Sequence, residues 1–195
     1  MEENNTQPRN FEEDLNNSNN PTLRKSWEKI FKLKFGNECI ISWRDEISIQ
    51  KGLGTDVTIT TREGRRYSIE LKTRNESCYK KEWIMEIKSH VYDKEDKETR
   101  NHLYSKDGWI YCCTAEYLFH GTLNEDGTDF TEVIFYSLSP FKNEGYKSEY
   151  DKYENLWLPT LYPDGKFQLT LNKLIPKDVI KEDSSEFWEW TKDGN

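Results

Sequence analysis

Features of several large protein classes are missing from this sequence. No apolar run approaches the roughly 18 residues that a membrane-spanning helix needs. The chain begins with acidic and polar residues, MEENNTQPRNFEEDLNN, so we expect no signal peptide. The four cysteines form no CxxC pair and only three histidines are present, which disfavours a structural zinc site and is typical of a reduced compartment. These absences predict a cytoplasmic protein with no membrane partner.

Aromatic residues, in contrast, are abundant in this chain of 195 residues. They make up 14% of the sequence, including seven Trp and eleven Tyr, which argues against a disordered chain. At roughly 100–200 residues per domain, the length predicts one domain plus tails. We assign residues 1–20 to a disordered acidic tail, residues 21–180 to a single domain, and residues 181–195 to an acidic aromatic tail or short helix.

The net charge of −8 is concentrated at the two ends of the chain. Residues 1–20 carry five acidic and one basic residue, and residues 181–195 carry five acidic and two basic residues. The body between them is therefore almost neutral and contains two basic segments. Residues 21–36 carry five basic residues against one acidic residue, and residues 62–81 carry seven against three. A neutral body with basic patches can bind a polyanion despite its acidic tails.

The hydrophobic pattern predicts the order of the elements. A helix is expected at about 22–36, where apolar residues recur at helical spacing and Gly36 provides a stop. Residues 114–120 fit either a helix or a strand. Strands are expected at 39–43, 82–88, 108–113, 132–138 and 167–171, and a short helix after Pro176 that reaches the last tryptophans.

A β-hairpin is predicted over residues 54–74, where apolar and polar residues alternate on both sides of residues 62–64. A three-residue hairpin loop needs a left-handed third residue, which Gly64 supplies. This loop sets a register in which Asp56 lies directly opposite Glu70. Directly opposed Cβ atoms lie about 4.5–5.5 Å apart, so the turn predicts two adjacent carboxylates.

Adjacent carboxylates repel each other unless a cation lies between them. Mg²⁺ or Mn²⁺ suits such oxygen ligands and is held by one or two carboxylates plus waters and substrate phosphate. Lys72 lies two residues beyond Glu70 on the same strand face and could orient or deprotonate a water or stabilise developing charge. The chemistry that this trio favours is metal-assisted hydrolysis of a phosphodiester. A solvated strand face remains the alternative explanation for the same alternation.

The pattern of Asp56, thirteen intervening residues and Glu70-Leu71-Lys72 resembles the signature of the PD-(D/E)xK nucleases, which include many restriction endonucleases, junction resolvases and repair nucleases. The resemblance covers residues 23–120, and the chain departs from it in having Thr55 where proline often precedes the aspartate. It implies a restriction-endonuclease-like α/β fold with a mixed central sheet flanked by helices. It also implies a divalent-metal-dependent nuclease that needs Mg²⁺ or Mn²⁺.

The resemblance implies roles for matching residues. Asp56 and Glu70 correspond to metal ligands together with the backbone carbonyl of Leu71, and Lys72 corresponds to the catalytic lysine. Many members also carry a glutamate on the first helix that holds a metal-bound water. Glu28 is the candidate here, and an exposed pair with the lysine four residues later is its alternative.

Two further acidic residues have open roles. Glu86 lies in a segment, WIMEI, that resembles the next core strand of phage-like members, and it either approaches the site or faces solvent. Glu116 stands where those members often carry aspartate. Trp109, in the same resemblance, is expected to be a packing residue. The three histidines lack partners at ligand spacing and are expected at the surface or in loops.

The expected partner is a nucleic acid, with DNA favoured over RNA, and many relatives act as homodimers. The expected phosphate contacts are Arg62, Arg65, Arg66 and Arg74. Two other functions stay open. The first is a non-catalytic protein of the same fold that binds nucleic acid or a protein, and the second is a Trp/Tyr-rich β domain that binds a protein through its aromatics.

Overall fold

A computed structural model describes residues 20–44, 54–75, 82–92, 104–161 and 167–194, together with the backbone of residues 9–10. The helices are α1 (Pro21–Phe35), α2 (Trp109–Cys112), α3 (Ser139–Lys142) and α4 (Lys177–Asp183), with 3-10 turns at Glu144–Tyr146 and Glu149–Lys152. The strands are β1 (Arg9–Asn10), β2 (Ile40–Trp43), β3 (Val57–Thr60), β4 (Arg66–Asn75), β5 (Glu82–Tyr92), β6 (Tyr104–Asp107), β7 (Tyr117–Leu123), β8 (Phe130–Ser137), β9 (Glu154–Leu161), β10 (Phe167–Pro176) and β11 (Phe187–Thr191).

The strands form two sheets in a mixed α/β architecture. The six-stranded sheet has the order β11-β8-β7-β4-β3-β2, and the five-stranded sheet has the order β1-β9-β10-β5-β6. The larger sheet is mixed because β4 and β7 are parallel while its other neighbours are antiparallel. Between β4 and β7 the chain passes through β5, β6 and α2, so the two sheets are interleaved along the sequence.

Helix α1 covers one face of the six-stranded sheet. The Asn20 side chain caps it by accepting a hydrogen bond from the Thr22 amide at 2.9 Å, and Pro21 occupies a first-turn position that needs no amide donor. Its apolar stripe is buried, with Trp27 packed on Phe130 at 4.2 Å between ring centroids. The helix predicted from apolar spacing is therefore confirmed. The buried stripe consists of Leu23, Trp27, Ile30 and Phe31.

The opposite face of this sheet packs against the five-stranded sheet. Trp83 and Met85 of β5, Ile110 of α2 and Leu118 of β7 share this second core. Successive strand residues point to opposite faces, and Leu71 packs in the core under α1. The residues on either side of Leu71 in β4 consequently face the layer between the two sheets.

The predicted strand at residues 108–113 is wrong, because Trp109–Cys112 forms a short helix. The Gly108 amide donates to the Ile87 oxygen at 3.0 Å, and a Cβ at Gly108 would lie 2.2 Å from the Glu86 oxygen. The two backbones approach closely at Gly108, and the helix begins at the next residue. A short apolar run does not by itself distinguish a strand from a buried helical turn.

The ends of the chain also differ from expectation. Residues 117–123 form a strand, which settles the helix-or-strand alternative for that segment. Helix α4 ends at Asp183, and the aromatic residues after it form β11, which pairs with β8 instead of continuing as helix or tail. Of the predicted disordered tail, residues 9–10 pair with β9, Asn20 caps α1, and the rest lies outside the described residues. No helix in the described part of the chain has the length and apolarity to cross a membrane.

Candidate active site

The hairpin register predicted from Gly64 is confirmed for the paired residues of β3 and β4. Gly64 has φ 84°, and the Thr61 amide donates to the Arg65 oxygen at 2.8 Å, which closes the three-residue loop. Thr58 consequently pairs with Ser68 across β3 and β4. The paired residues end at Val57 and Ile69, and the Asp56 amide donates to the Ile69 oxygen at 2.9 Å, one residue short of the pairing with Glu70 that the turn predicts. The Asp56 side chain nevertheless lies beside that of Glu70.

The two carboxylates at this point are in contact. Oδ2 of Asp56 accepts a hydrogen bond from the Leu71 amide at 2.7 Å, and the Asp56 carboxyl lies next to that of Glu70, whose charge acts on it. Burial, followed by the charge of Glu70, raises the pKa of Asp56 to about 7, although Lys72 and the Leu71 amide oppose this shift. A proton held between two carboxylates relieves the repulsion that a divalent cation would otherwise relieve.

Lys72 is held between acid and aromatic groups. Its ammonium lies 2.6 Å from Oε1 of Glu70 and 5.0 Å from the ring centroid of Trp109. Burial lowers the pKa of Lys72, but the charges of Glu70 and Asp56 outweigh it, and the pKa is raised overall. Lys72 is therefore an ammonium at neutral pH in the metal-free site, which makes it a hydrogen-bond donor. Trp109, expected to be a packing residue, also provides the ring face under this cation.

Glu86 lies on the other sheet and acts on this cluster through its charge. Its carboxylate contributes to the raised pKa of Lys72 and accepts a hydrogen bond from Oγ of Ser89 at 2.6 Å. Ser89 in turn accepts one from Nε2 of Gln168 at 3.1 Å. Of the two readings that the sequence left open, proximity to the site is the one that the structure supports.

Glu28 lies elsewhere. Its carboxylate accepts a hydrogen bond from the indole of Trp43 at 3.3 Å, on the sheet face that α1 covers. Glu70 and Lys72 face the other side of the sheet. The structure therefore does not bring Glu28 to the carboxylate pair, because the alternation of β4 separates the two faces.

Glu116 borders the cluster without joining it. Its amide donates to the Ser68 oxygen at 3.0 Å, and Oγ of Ser68 donates to its carboxylate at 3.3 Å. Ser68 lies two residues before Glu70 on the same strand face. Glu116 thus ties the start of β7 to β4.

Three of the four arginines expected to bind phosphate lie at the hairpin turn. Arg62 pairs with Glu38 at 3.1 Å in an exposed ion pair, Arg65 binds Glu186 and the Tyr117 hydroxyl, and Arg66 is exposed. Arg74 does not face solvent. Its guanidinium stacks on Trp83 at 4.1 Å and donates to the Thr122 hydroxyl at 3.4 Å, so this residue packs inside the protein.

Sequence reasoning missed two polar residues next to the site, one buried and one half-buried. His120, expected at the surface, is 3% exposed and lies beside Trp83, with its pKa lowered by burial and then by Arg74 and Lys72. Lys142 extends from the end of α3 to the backbone before β7. No residue spacing could have indicated either, because both reach the site through contacts that are distant along the chain.

The donor set fits a divalent cation of the Mg²⁺ type. Asp56 and Glu70 offer hard oxygen ligands in mutual contact, and Leu71 adds a backbone carbonyl between Glu70 and Lys72. Within the described ranges, no group of three or more His, Cys, Asp or Glu side chains could hold a metal ion. Mg²⁺ does not need such a cage, because it keeps several of its waters.

Comparison with known proteins adds no relative: no family model, no curated protein and no solved structure matches this chain. The functional argument therefore depends on the residues of the site and their geometry.

Proposed function

We propose that this protein is a nuclease that depends on Mg²⁺ or Mn²⁺, hydrolyses phosphodiester bonds, acts on DNA in preference to RNA, and has a restriction-endonuclease-like core. The observation that carries the proposal is the contact cluster of Asp56, Glu70 and Lys72 on one hairpin. The element order supports it, because a helix precedes the hairpin and a parallel strand follows in the same mixed sheet.

Each residue of the cluster has a role in this chemistry. Asp56 and Glu70 would hold the cation, which when bound supplies a lowered pKa for a water ligand and neutralises phosphate charge. Lys72 is 2.6 Å from Glu70, so its ammonium can donate to an oxygen bound at that carboxylate. As a cation it orients the attacking water and stabilises the charge that develops on the phosphoryl oxygens.

The surface of α1 supplies a second feature expected of a nucleic-acid-binding protein. Lys25, Lys29 and Lys32 are exposed at helical spacing, and none forms an ion pair with any residue that the structure describes. The sole acidic residue of α1, Glu28, is directed to Trp43. These lysines therefore remain available to a polyanion, and phosphate contacts of this kind make binding salt-dependent.

Reversing two of these charges should weaken nucleic-acid binding without affecting the site. For a Lys25→Glu/Lys29→Glu variant we expect weaker affinity for a DNA duplex. The slope of log K against log salt concentration should become shallower by about 2, since each phosphate contact contributes roughly 0.9 to that slope. Fluorescence anisotropy in Ca²⁺ over a salt series measures both. Lys152→Glu/Lys181→Glu, two exposed lysines on other elements, is the matched control. A wild-type affinity and slope in the α1 variant would exclude this surface.

A cleavage assay tests the function itself. Wild-type protein and the Lys72→Met variant are incubated with labelled single-stranded, double-stranded and branched DNA and RNA, each in Mg²⁺, Mn²⁺, Ca²⁺ or EDTA. We expect cleavage that needs Mg²⁺ or Mn²⁺ and is lost in the variant. Absence of both cleavage and metal binding would refute the proposal in favour of a non-catalytic binding protein.

A further inference from the structure

A short segment between α2 and β7, residues 113–116, binds both strands of the hairpin at its open end; we call it the strap. The strap lies so close to Gly54 that a Cβ there would be 2.8 Å from the Cα of Cys113. Gly54 also has a φ of 53°, in the left-handed region that favours glycine. Only glycine fits this position without strain. The strap bonds are Cys113 Sγ to the Gly54 oxygen at 2.7 Å, the hydroxyls of Thr114 and Thr55 at 3.3 Å, and the Glu116 amide to the Ser68 oxygen at 3.0 Å.

Lys142 holds the strap from the other side. Its ammonium donates to the backbone oxygens of Cys113 and Ala115, both at 2.6 Å. Burial lowers the pKa of Lys142, and the carboxylates of Glu70 and Glu116 are among the groups that oppose this shift. Among the described residues it forms no ion pair, and its bonds to two carbonyls fix the strap's backbone.

The strap binds the two residues that directly precede Asp56 in the chain. Gly54 and Thr55 directly precede Asp56, and both are bound by the strap. Within the described residues, the direct contacts of Asp56 come from neighbouring segments: its amide bond to Ile69, the Arg44 amide on its oxygen, and its carboxylate contacts. A shift of the strap would therefore move the carboxylate relative to Glu70.

We propose that Lys142 is a positioning residue, which clamps the strap and thereby holds Asp56 in place to bind a divalent cation together with Glu70. This inference rests on the proposed nuclease function for the role of the cation, but the clamp itself is a property of the metal-free protein. Partners that orient metal ligands typically contribute a factor of 10–100 in metal affinity.

Three variants test the clamp in the full chain. Lys142→Met keeps most of the side-chain stem but removes the donors, Lys142→Arg keeps the charge and the donors, and Lys152→Met is the control at an exposed lysine bound to Glu149. In the metal-free protein, the rate at which the Leu71 amide hydrogen exchanges with solvent reports its bond to the Asp56 carboxylate. We expect roughly tenfold faster exchange in Lys142→Met, with the amides of β8 unchanged, and near wild-type exchange in the other two variants.

A second measurement reports the cation. The Kd for Mn²⁺, measured by electron paramagnetic resonance, should rise about tenfold in Lys142→Met and be restored in Lys142→Arg. If circular dichroism shows that Lys142→Met does not fold, Thr114→Val replaces it; that variant removes one strap bond and should speed Leu71 exchange about threefold.

The outcomes separate the clamp from the function. The role of Lys142 is overturned if the Leu71 amide of Lys142→Met exchanges at the wild-type rate. It is also overturned if the amides of β8 exchange faster by the same factor as Leu71. Failure of the wild-type protein to bind Mn²⁺ overturns the proposed function instead, while the exchange data still decide the clamp.

Discussion

Replacing Lys72 with methionine should lower the rate of metal-dependent cleavage about 10²–10³-fold, the usual cost of losing one donor to a transition-state oxyanion. Methionine keeps an apolar stem against Trp109 but cannot donate to an oxygen bound at Glu70. The measurement is the single-turnover rate at saturating Mg²⁺, which excludes product release. Lys88→Met, at an exposed position of β5, should retain the wild-type rate.

The arginine variant distinguishes the two roles open to Lys72. Arginine cannot be deprotonated in a protein, so it can replace an ammonium donor but not a general base. Because the neighbouring carboxylates raise the pKa of Lys72, we expect Lys72→Arg to retain more activity than Lys72→Met. Equal inactivation of both variants would identify Lys72 as a base, and wild-type cleavage by Lys72→Met would refute its catalytic role.

Asp56→Asn should have opposite effects on stability and on metal binding. The pKa of Asp56 is raised from 3.8 to about 7 in the folded protein, mainly by burial and then by Glu70. The folded state therefore binds more protons than the unfolded state between about pH 4 and pH 7, and Asp56 makes stability fall as the pH rises through that window. At pH 8 in EDTA, we expect Asp56→Asn to be more stable than wild type by about 1–3 kcal/mol.

Chemical denaturation at pH 4 and pH 8 checks this sign. The stability difference between Asp56→Asn and wild type should be small at pH 4, where the carboxyl is protonated in the folded state and near its midpoint of 3.8 in the unfolded state, and appear fully at pH 8. Asparagine can still accept the Leu71 amide bond, so the register of the hairpin is kept. Mg²⁺ should raise the melting temperature of wild type and leave that of the variant unchanged. A variant less stable than wild type at pH 8 would contradict the buried carboxylate pair.

The parts of the site that sequence predicted correctly are those determined by local chemistry. Gly64 and a three-residue loop fix the pairing of β3 with β4, and this pairing brings the residue just before β3, Asp56, beside Glu70. The helix before the hairpin was equally predictable from sequence, because Trp27 and the other apolar residues of α1 recur at the spacing of a buried stripe. These predictions needed contacts within about twenty residues of the chain.

Other parts of the site depend on contacts that no local pattern contains. The charge of Glu86, on a strand of the second sheet, acts on Lys72, and Lys142 reaches the strap from a single helical turn. The helical run at residues 109–112 and the strand at residues 187–191 were mistaken because short apolar segments take their structure from the partner that they pack against. The resemblance implied Glu28 from its place on the first helix, and that place does not determine which face of the sheet the helix covers.

The parallel pairing of β4 with β7 has a consequence for synthesis on the ribosome. The hairpin leaves the exit tunnel first and can close through its own turn, whereas Ile69 must wait for Tyr117 before its strand acquires a parallel neighbour. Lys142 emerges later still. If the proposed clamp and cation site hold, a nascent chain would carry a paired but unclamped carboxylate site until α3 is made. Tight binding of a divalent ion would then indicate that translation has passed that point.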